Sequence, residues 1–299
     1  MSHGEIQQVL IVGAGAIGRQ IAVSCAANGF GVTLFDIDPN ALIAAEAACR
    51  RRLEEAHPPT TGAHASANHE IGTIRTSTDA AQAAADADLL IESVPERLQI
   101  KRDVFRQFAQ LCPPHTIFVT NTSVLMPSMM VAATGRPDRF AALHFLMECD
   151  MTEIMSHDRT SAETVAALEA FSRRIGHVPV RCRREQPGYL VNTMLMALNG
   201  AALTLVANGV AAFEDVDRAW MKATQAIRGP FGWLDLVGLD IALEITQYGA
   251  KATGSAQTKK NGEYLKQLVD RGHLGVKSGQ GFYSYPGPAY QQPQFLSLE

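Results

Sequence analysis

The sequence lacks the features that mark secreted, membrane-spanning and nucleic-acid-binding proteins. Its 299 residues include five cysteines, an odd number without a C-x-x-C pair, so neither a disulfide framework nor a zinc site is predicted. No apolar run approaches the roughly 18 residues of a membrane span, and no charged-then-apolar signal peptide is present. The formal net charge of -4 argues against a surface that tracks phosphates. We therefore expect a cytoplasmic protein that binds neither nucleic acid nor a membrane.

What the chain does have is a large apolar fraction, 46% of its residues, in two different patterns. Up to about residue 185, short apolar runs such as 8–12, 32–35 and 89–94 alternate with amphipathic stretches, as in βαβ units. Beyond Pro187-Gly188 the pattern is helical, and helices are predicted at residues 189–208, 213–224, 233–248 and 258–271. The predicted fold is α/β, with a doubly wound parallel sheet in residues 1–186 and an all-helical domain in residues 187–299.

A glycine-rich segment, Gly13-Ala14-Gly15-Ala16-Ile17-Gly18, joins the first predicted strand to a predicted helix. Gly13 allows a tight turn, Gly15 lets the backbone approach a pyrophosphate, and Gly18 lets the helix pack closely on the strand. The helix N-terminus attracts phosphate charge. An ordinary strand–helix turn is the alternative interpretation, but the position after a strand and before a helix favours a dinucleotide site.

Asp36 strengthens this interpretation, because it ends the second predicted strand. A carboxylate there accepts hydrogen bonds from the adenosine ribose and repels a 2′-phosphate, so NAD is predicted rather than NADP. A simple turn formed with Asp38-Pro39 is the alternative. A cofactor site is favoured, because the strand, the glycine segment, the helix and Asp36 all match the pattern of a dinucleotide-binding unit.

Transfer of a hydride from an alcohol requires a group that takes the hydroxyl proton, and histidine suits this role. His57, His64 and His69 lie in a polar loop, whereas His144 follows an apolar run at a predicted strand end. On these residues alone, a buried structural histidine is favoured over a general base.

Several stretches spread over nearly the whole chain form a family pattern in a fixed order. They are residues 13–18, 91–96 with Lys101, 121–123, 139–145, 187–192, 238–240 and 274–283. With these stretches the chain resembles the L-3-hydroxyacyl-CoA dehydrogenase family. Residues 94–105 and 125–128 also resemble the lambda-crystallin and L-gulonate 3-dehydrogenase branch, whose members act on free hydroxy acids.

The resemblance implies a Rossmann domain that binds NAD, followed by a helical domain that often dimerises, so a homodimer is expected. The substrate is expected in the cleft between the domains, beyond the carboxyl ends of the strands. No metal is required. Residues that the resemblance assigns to the cofactor, besides the glycine segment and Asp36, are Val94, Glu96, Lys101 and Asn121.

The resemblance also implies catalytic roles. His144 would be the general base, an acidic partner would orient its ring, and Ser123 and Asn192 would bind the substrate oxygens. Taken singly, Ser123 could instead cap a following helix, and Asn192 could be a polar residue in the first turn of a helix. Taken with His144 in family order, the catalytic interpretation is favoured.

The acidic partner is ambiguous, because Met147-Glu148 stands where the family has Asn-Pro. Counting forward without a gap puts Ser156 at the acidic position, whereas counting back from Arg159-Thr160-Ser161 puts Glu153 there. We prefer Glu153, because this alignment requires only a shorter loop between His144 and the acid, whereas the other alignment leaves His144 without an acidic partner. Glu148 is the alternative.

Two departures bear on the substrate. Thr193 and Gly200 stand where the family usually has Arg and Glu, and the segment 40–75, which helps to hold CoA in the family, is short. The predicted function is an NAD-dependent dehydrogenase of an L-3-hydroxyacyl-CoA, in fatty acid metabolism. One alternative is a dehydrogenase of a free 3-hydroxy acid of the sugar-acid or carnitine type. Another is a non-catalytic NAD-binding protein.

Overall fold

The computed structural model describes residues 5–56, 71–146 and 149–297. The chain divides into two compact units, Met1–Leu190 and Val191–Glu299. The polar loop with His57, His64 and His69, and the alternative partner Glu148, lie outside the described residues. In the described part of the chain, no helix is both long and apolar enough to cross a bilayer.

Unit one is built on a sheet with eight strands in its described residues, ordered β3-β2-β1-β4-β5-β6-β7-β8. The strands are β1 (Gln8–Val12), β2 (Gly31–Phe35), β3 (Ile74–Ser77), β4 (Leu89–Glu92), β5 (Ile117–Thr120), β6 (Phe140–Phe145), β7 (Met151–Met155) and β8 (Val178–Cys182). Strands β1 to β6 are parallel and in the order of a doubly wound dinucleotide-binding sheet. Strand β7 is antiparallel to β6, and β8 is parallel to β7.

Helices cover both faces of this sheet. They are α1 (Ala16–Ala27), α2 (Pro39–Ala56), α3 (Ala80–Ala84), α4 (Leu98–Leu111), α5 (Val131–Thr134) and α6 (Ala162–Arg174). Because successive strand residues point to opposite faces, Val9 and Ile11 of β1 join the core under α1, α2 and α6. Leu10 and Val12 join the other core, under α3, α4 and α5. This accounts for the continuous apolar runs of the sequence, since both faces of each central strand are buried.

Unit two is helical in its described residues, as predicted. Its helices are α7 (Val191–Ala207), α8 (Phe213–Thr224), α9 (Pro230–Val237), α10 (Leu239–Thr253) and α11 (Ala256–Val269). The prediction of one helix over residues 233–248 is wrong, because the chain breaks at Gly238, whose φ of 101° is incompatible with an α-helix. The α/β fold class with a helical second region is confirmed, and the two reversed strands are the feature that the apolar pattern did not predict.

Candidate active site

The glycine segment forms the turn between β1 and α1. Gly13 has a φ of 113°, and a Cβ there would come within 2.5 Å of the Ser93 carbonyl oxygen. A Cβ on Gly18 would lie 1.9 Å from the Gly13 carbonyl oxygen, so helix and strand approach too closely for a side chain. Gly15, by contrast, faces open space, and no side chain caps α1. The turn therefore leaves room for a pyrophosphate at the helix N-terminus, and Ala16 and Ile17 begin that helix.

Asp36 lies directly after β2 and reaches back to this turn. Its Oδ2 accepts a hydrogen bond of 2.8 Å from the Ala14 N–H, and its Oδ1 accepts one from the Asp38 N–H. The carboxylate is thus fixed at the carboxyl end of β2, next to the glycine turn. This is where a group that binds the adenosine ribose must lie. The glycine turn and Asp36 together fit NAD.

His144 and Glu153 face each other across the antiparallel pair β6–β7, in direct register. His144 Nδ1 lies 2.9 Å from Glu153 Oε2, and both side chains are buried. A carboxylate accepts only, so Nδ1 carries the proton and Nε2 of the neutral ring is left as the acceptor. Ser156, the alternative acidic position in the ungapped count, lies beyond the end of β7. The structure therefore brings Glu153 to His144.

Ser123 contacts the other nitrogen of the same ring. Its Oγ lies 3.2 Å from His144 Nε2, although the two residues are far apart in sequence. Ser123 follows β5 and does not cap a helix, because the next helical turn begins at Pro127 with Met126 as its N-cap. Glu153, His144 and Ser123 form a chain of hydrogen-bonding groups at the carboxyl ends of β5 and β6.

A buried cluster of charges lies next to this chain of groups. Lys101 of α4 is fully buried, and its Nζ lies 2.8 Å from Glu92 Oε1 and 3.1 Å from Glu96 Oε2. Thr120 donates to Glu92 at 2.6 Å. Burial raises the pKa of Glu92, against the opposing effects of Lys101 and the hydrogen bond from Thr120. Burial also acts to raise the pKa of Glu96, but Lys101, the Thr122 hydroxyl and the Val124 N–H together outweigh it, so the pKa of Glu96 lies below its usual value.

Glu96 connects the cluster to Ser123. Its Oε1 accepts hydrogen bonds from the Thr122 hydroxyl and from the Ser123 and Val124 N–H groups, the last two at 3.2 and 3.3 Å. The turn that presents Ser123 is therefore held by a carboxylate that is also paired with Lys101. Glu96 thus links Lys101 of α4 to the turn that follows β5.

Asn121 and Val94 complete the edge of the sheet. Asn121 Oδ1 accepts from the Phe145 N–H at 3.1 Å, and the Val94 N–H donates to Glu92 at 2.8 Å. Both residues thus lie just beyond the carboxyl ends of β4 and β5, at the edge where cofactor contacts are predicted. Asn192 is the second residue of α7 in unit two, half-buried, and Thr193 beside it is exposed.

Some residues of this edge were not identified from the sequence. Glu92 was treated only as part of a family stretch, yet it is the fully buried partner of Lys101. A carboxylate at the end of an otherwise apolar strand was the available signal. The sequence does not single out Tyr189, whose ring stacks on His144, because this contact depends on the backbone conformation of Tyr189.

Comparison with known proteins identifies the family. The model described as "3-hydroxyacyl-CoA dehydrogenase, NAD binding domain" matches residues 8–186, and the model described as "3-hydroxyacyl-CoA dehydrogenase, C-terminal domain" matches residues 188–285. The human mitochondrial hydroxyacyl-coenzyme A dehydrogenase is 32% identical over 288 residues, which cover 94% of this chain and 91% of that protein.

Solved structures agree. A diketoreductase described for dual catalysis of dicarbonyl compounds is 38% identical, with a TM-score of 0.82 over 94% of this chain and 100% of that chain. The (S)-3-hydroxybutyryl-CoA dehydrogenase of Ralstonia eutropha is 29% identical, with a TM-score of 0.79 over the same two shares. The resemblance noted from the sequence and the assignment of NAD are confirmed, and this chain belongs to the 3-hydroxyacyl-CoA dehydrogenase family of NAD-dependent oxidoreductases.

Proposed function

We propose that this protein transfers a hydride between NAD and the 3-hydroxy group of an L-3-hydroxyacyl-CoA. The observation that carries the proposal is the arrangement Glu153–His144–Ser123, at the strand ends of an NAD-binding sheet. A base oriented by a buried carboxylate, beside a hydroxyl that can bind the reacting oxygen, is what oxidation of an alcohol requires.

In the direction of oxidation, His144 Nε2 takes the hydroxyl proton of the substrate. Glu153 holds Nδ1–H and stabilises the positive ring that results. The Ser123 hydroxyl, already within hydrogen-bond distance of Nε2, binds the substrate oxygen as its charge changes. Asn192 is proposed to bind the substrate as well. NAD, when bound, supplies the hydride acceptor.

The cofactor is proposed to lie with its pyrophosphate at residues 13–18 and its adenosine ribose at Asp36. Val94, Glu96 and Asn121 are proposed to surround the nicotinamide half. Because Lys101 is fully buried between two carboxylates, we assign its contribution to the orientation of Glu96.

A second candidate substrate is a dicarbonyl compound or hydroxy acid without CoA. The diketoreductase is 38% identical over its whole length, against 32% for the human acyl-CoA enzyme. Thr193 and Gly200 also replace a cation and an anion of the family pattern. Both candidates use the same proton chemistry at His144 and differ in what holds the rest of the substrate.

The test follows NADH oxidation optically with acetoacetyl-CoA, free acetoacetate and a dicarbonyl compound without CoA in parallel, with His144→Gln as the control. Turnover of the thioester alone supports the acyl-CoA substrate, and turnover of the free compounds alone supports the second candidate. If NADH binds but no 3-keto compound is reduced, the chain is a non-catalytic NAD-binding protein and the proposal is wrong.

A homodimer is proposed from an exposed apolar face in unit two. Ile241, Ile245 and Tyr248 of α10 are spaced so that they share one face, and they are 45%, 46% and 76% exposed. Light scattering should give twice the chain mass of 32.3 kDa, and Ile245→Glu should reduce it to the monomer mass. A role in cytoplasmic fatty acid metabolism is proposed together with the acyl-CoA substrate.

A further inference from the structure

Two consecutive residues at the end of unit one contact both members of the His144–Glu153 pair. The Tyr189 ring stacks on the His144 imidazole, with ring centroids 4.7 Å apart and planes inclined by 26°. The Leu190 N–H donates to Glu153 Oε1 at 2.9 Å, while the other oxygen of that carboxylate faces His144. One short segment thus touches the base on its ring face and the acid on its second oxygen.

The alternation of the strands explains why the ring meets this segment. Leu143 and Phe145 of β6 and Ile154 of β7 point into the core under α1, α2 and α6. Their neighbours His144 and Glu153 must therefore point to the opposite face.

That opposite face encloses the tyrosine ring. Tyr189 packs with Ala142, Met155 and Cys182 and is 0% exposed. Its ring therefore has a fixed position against the imidazole.

The backbone of this segment is unusual. Tyr189 has a φ of 51° and follows Gly188, whose φ is 80°. A bulky side chain rarely adopts the left-handed region, because its Cβ approaches the backbone too closely. Such conformations are retained where surrounding contacts determine them, and they concentrate at functional sites. Here the conformation turns the Tyr189 ring towards His144 and the next N–H group towards Glu153.

We infer that Tyr189 is a positioning residue for the catalytic pair, an inference that rests on the proposed function. The ring fixes the plane of the imidazole, so that Nε2 points at Ser123 and the substrate. Its π face also attracts the positive charge that His144 gains when it takes the proton. The Leu190 N–H holds Glu153 so that its other oxygen stays on Nδ1.

The kinetic test replaces the ring with aliphatic and aromatic side chains. Tyr189→Leu should lower kcat by about 10²-fold, because misplacement of a catalytic group by about 1 Å has that effect. KM for NADH should not change. Tyr189→Phe keeps the π face and should restore most of the wild-type kcat. If Tyr189→Leu does not fold, Tyr189→Met provides the same comparison.

The control is Phe171→Leu. This variant removes a buried ring of unit one that packs edge-on against Phe30, at a centroid distance of 5.2 Å. It should lower the melting temperature without lowering kcat. A parallel loss of stability and kcat in both variants would overturn the inference.

A double-mutant cycle with Glu153→Gln separates positioning from general loosening. Once the acid no longer orients the ring, Tyr189→Leu should add little further loss of kcat, so the two effects should be non-additive. Fully additive losses would contradict a shared role.

One further measurement does not depend on turnover. The Nδ1–H proton of His144 should give a resonance protected from solvent exchange, assigned by its absence in His144→Gln. Tyr189→Leu should broaden or remove this resonance, and an unchanged resonance would overturn the inference. If the wild type reduced no 3-keto compound, the proposed function would fail, and this resonance would still decide whether Tyr189 orients the ring.

Discussion

The two units bury carboxylates against opposite kinds of partner. In unit one, Glu92 and Glu153 contact the Lys101 ammonium and the His144 imidazole, at 2.8 and 2.9 Å. In unit two, the buried carboxylates accept only from backbone N–H groups and tyrosine hydroxyls among the contacts described for them. The first kind of partner can carry or exchange a proton, whereas the second supplies fixed dipoles.

Asp217 of α8 shows the second kind. It is fully buried and accepts from the N–H groups of Phe231 and Gly232, at 2.9 and 3.1 Å, and from the Tyr283 hydroxyl at 3.0 Å. The two N–H groups belong to the first turn of α9, so the carboxylate caps that helix from its neighbour. A Cβ on Gly229 would lie 2.3 Å from the Asp217 Cγ, which explains the glycine there.

Asp235 has the same role for the final family stretch, residues 274–283. It accepts from the N–H groups of Phe282 and Tyr283, both at 2.8 Å, and from the Tyr285 hydroxyl at 3.1 Å. A Cβ on Gly281 would come within 2.0 Å of the Asp235 Oδ1. A sequence stretch shared with the family can therefore serve stability as well as catalysis. The hydrogen-bonding partners of the buried carboxylates indicate which of the two roles applies. The comparison predicts that substitutions in unit one change the chemistry, whereas those in unit two change stability.

The largest expected effect is on turnover. His144→Gln removes the base and should lower kcat by about 10³-fold, a typical contribution of general base catalysis. The melting temperature should change little, because the replacement is polar and of similar size. Steady-state kinetics with NADH measure kcat, and NADH fluorescence checks that the cofactor still binds. Retention of kcat would show that the pair His144–Glu153 is structural, like the carboxylates of unit two.

The next effect is on stability. Asp217→Ala leaves two backbone N–H groups and one hydroxyl buried without their acceptor, which costs about 3 kcal/mol. Chemical denaturation at pH 5 measures the loss, with fluorescence of the two tryptophans as the readout. At a temperature where the variant is folded, kcat should equal that of the wild type. A large loss of kcat would contradict the division between the units.

The sequence predicted the parts of the site that depend on local order. The glycine turn and Asp36 follow strands in a fixed arrangement, so their meeting at the carboxyl edge of the sheet follows from the βαβ pattern. The partner of His144 was ambiguous by counting. The antiparallel register places Glu153 directly opposite His144, whatever the connecting turn contains.

Other features depend on contacts that no pattern encodes. The sequence predicts that Lys101 contacts the cofactor, but its burial between Glu92 and Glu96 arises from the packing of α4 on the sheet. The left-handed conformation of Tyr189 is opposed by its own side chain, so only the folded surroundings reveal it. The break at Gly238 was hidden because apolar residues continue at helical spacing on both sides.

The stability of the protein should depend on pH through Asp217 of unit two. Burial raises the pKa of Asp217 from 3.8 to about 6. Between these values the folded state binds more protons than the unfolded state, so stability falls as pH rises. The contribution is fully present below pH 3.8 and is lost as pH rises through about 6, with a size on the order of 3 kcal/mol.

Asp217→Ala should remove this contribution, so its cost relative to the wild type should be smaller at pH 7 than at pH 5. Denaturation midpoints of both proteins between pH 4 and pH 7 measure the difference. Parallel pH profiles would contradict the assignment to Asp217.

The smallest expected effect on stability concerns the Tyr283 hydroxyl, which donates to the Asp217 carboxylate. Tyr283→Phe removes the hydroxyl and leaves Asp217 with its two backbone donors, so it should cost about 1 kcal/mol.

Thr120→Val is the matched change in unit one, because it removes a hydroxyl donor from Glu92 and leaves the ion pair with Lys101. If the comparison holds, Tyr283→Phe changes the denaturation midpoint and leaves kcat intact. Thr120→Val should change kcat as well, because Glu92 shares Lys101 with the carboxylate that holds the Ser123 turn. Equal effects of both variants on kcat would mean that the partners of a buried carboxylate do not show whether it serves stability or catalysis in this fold.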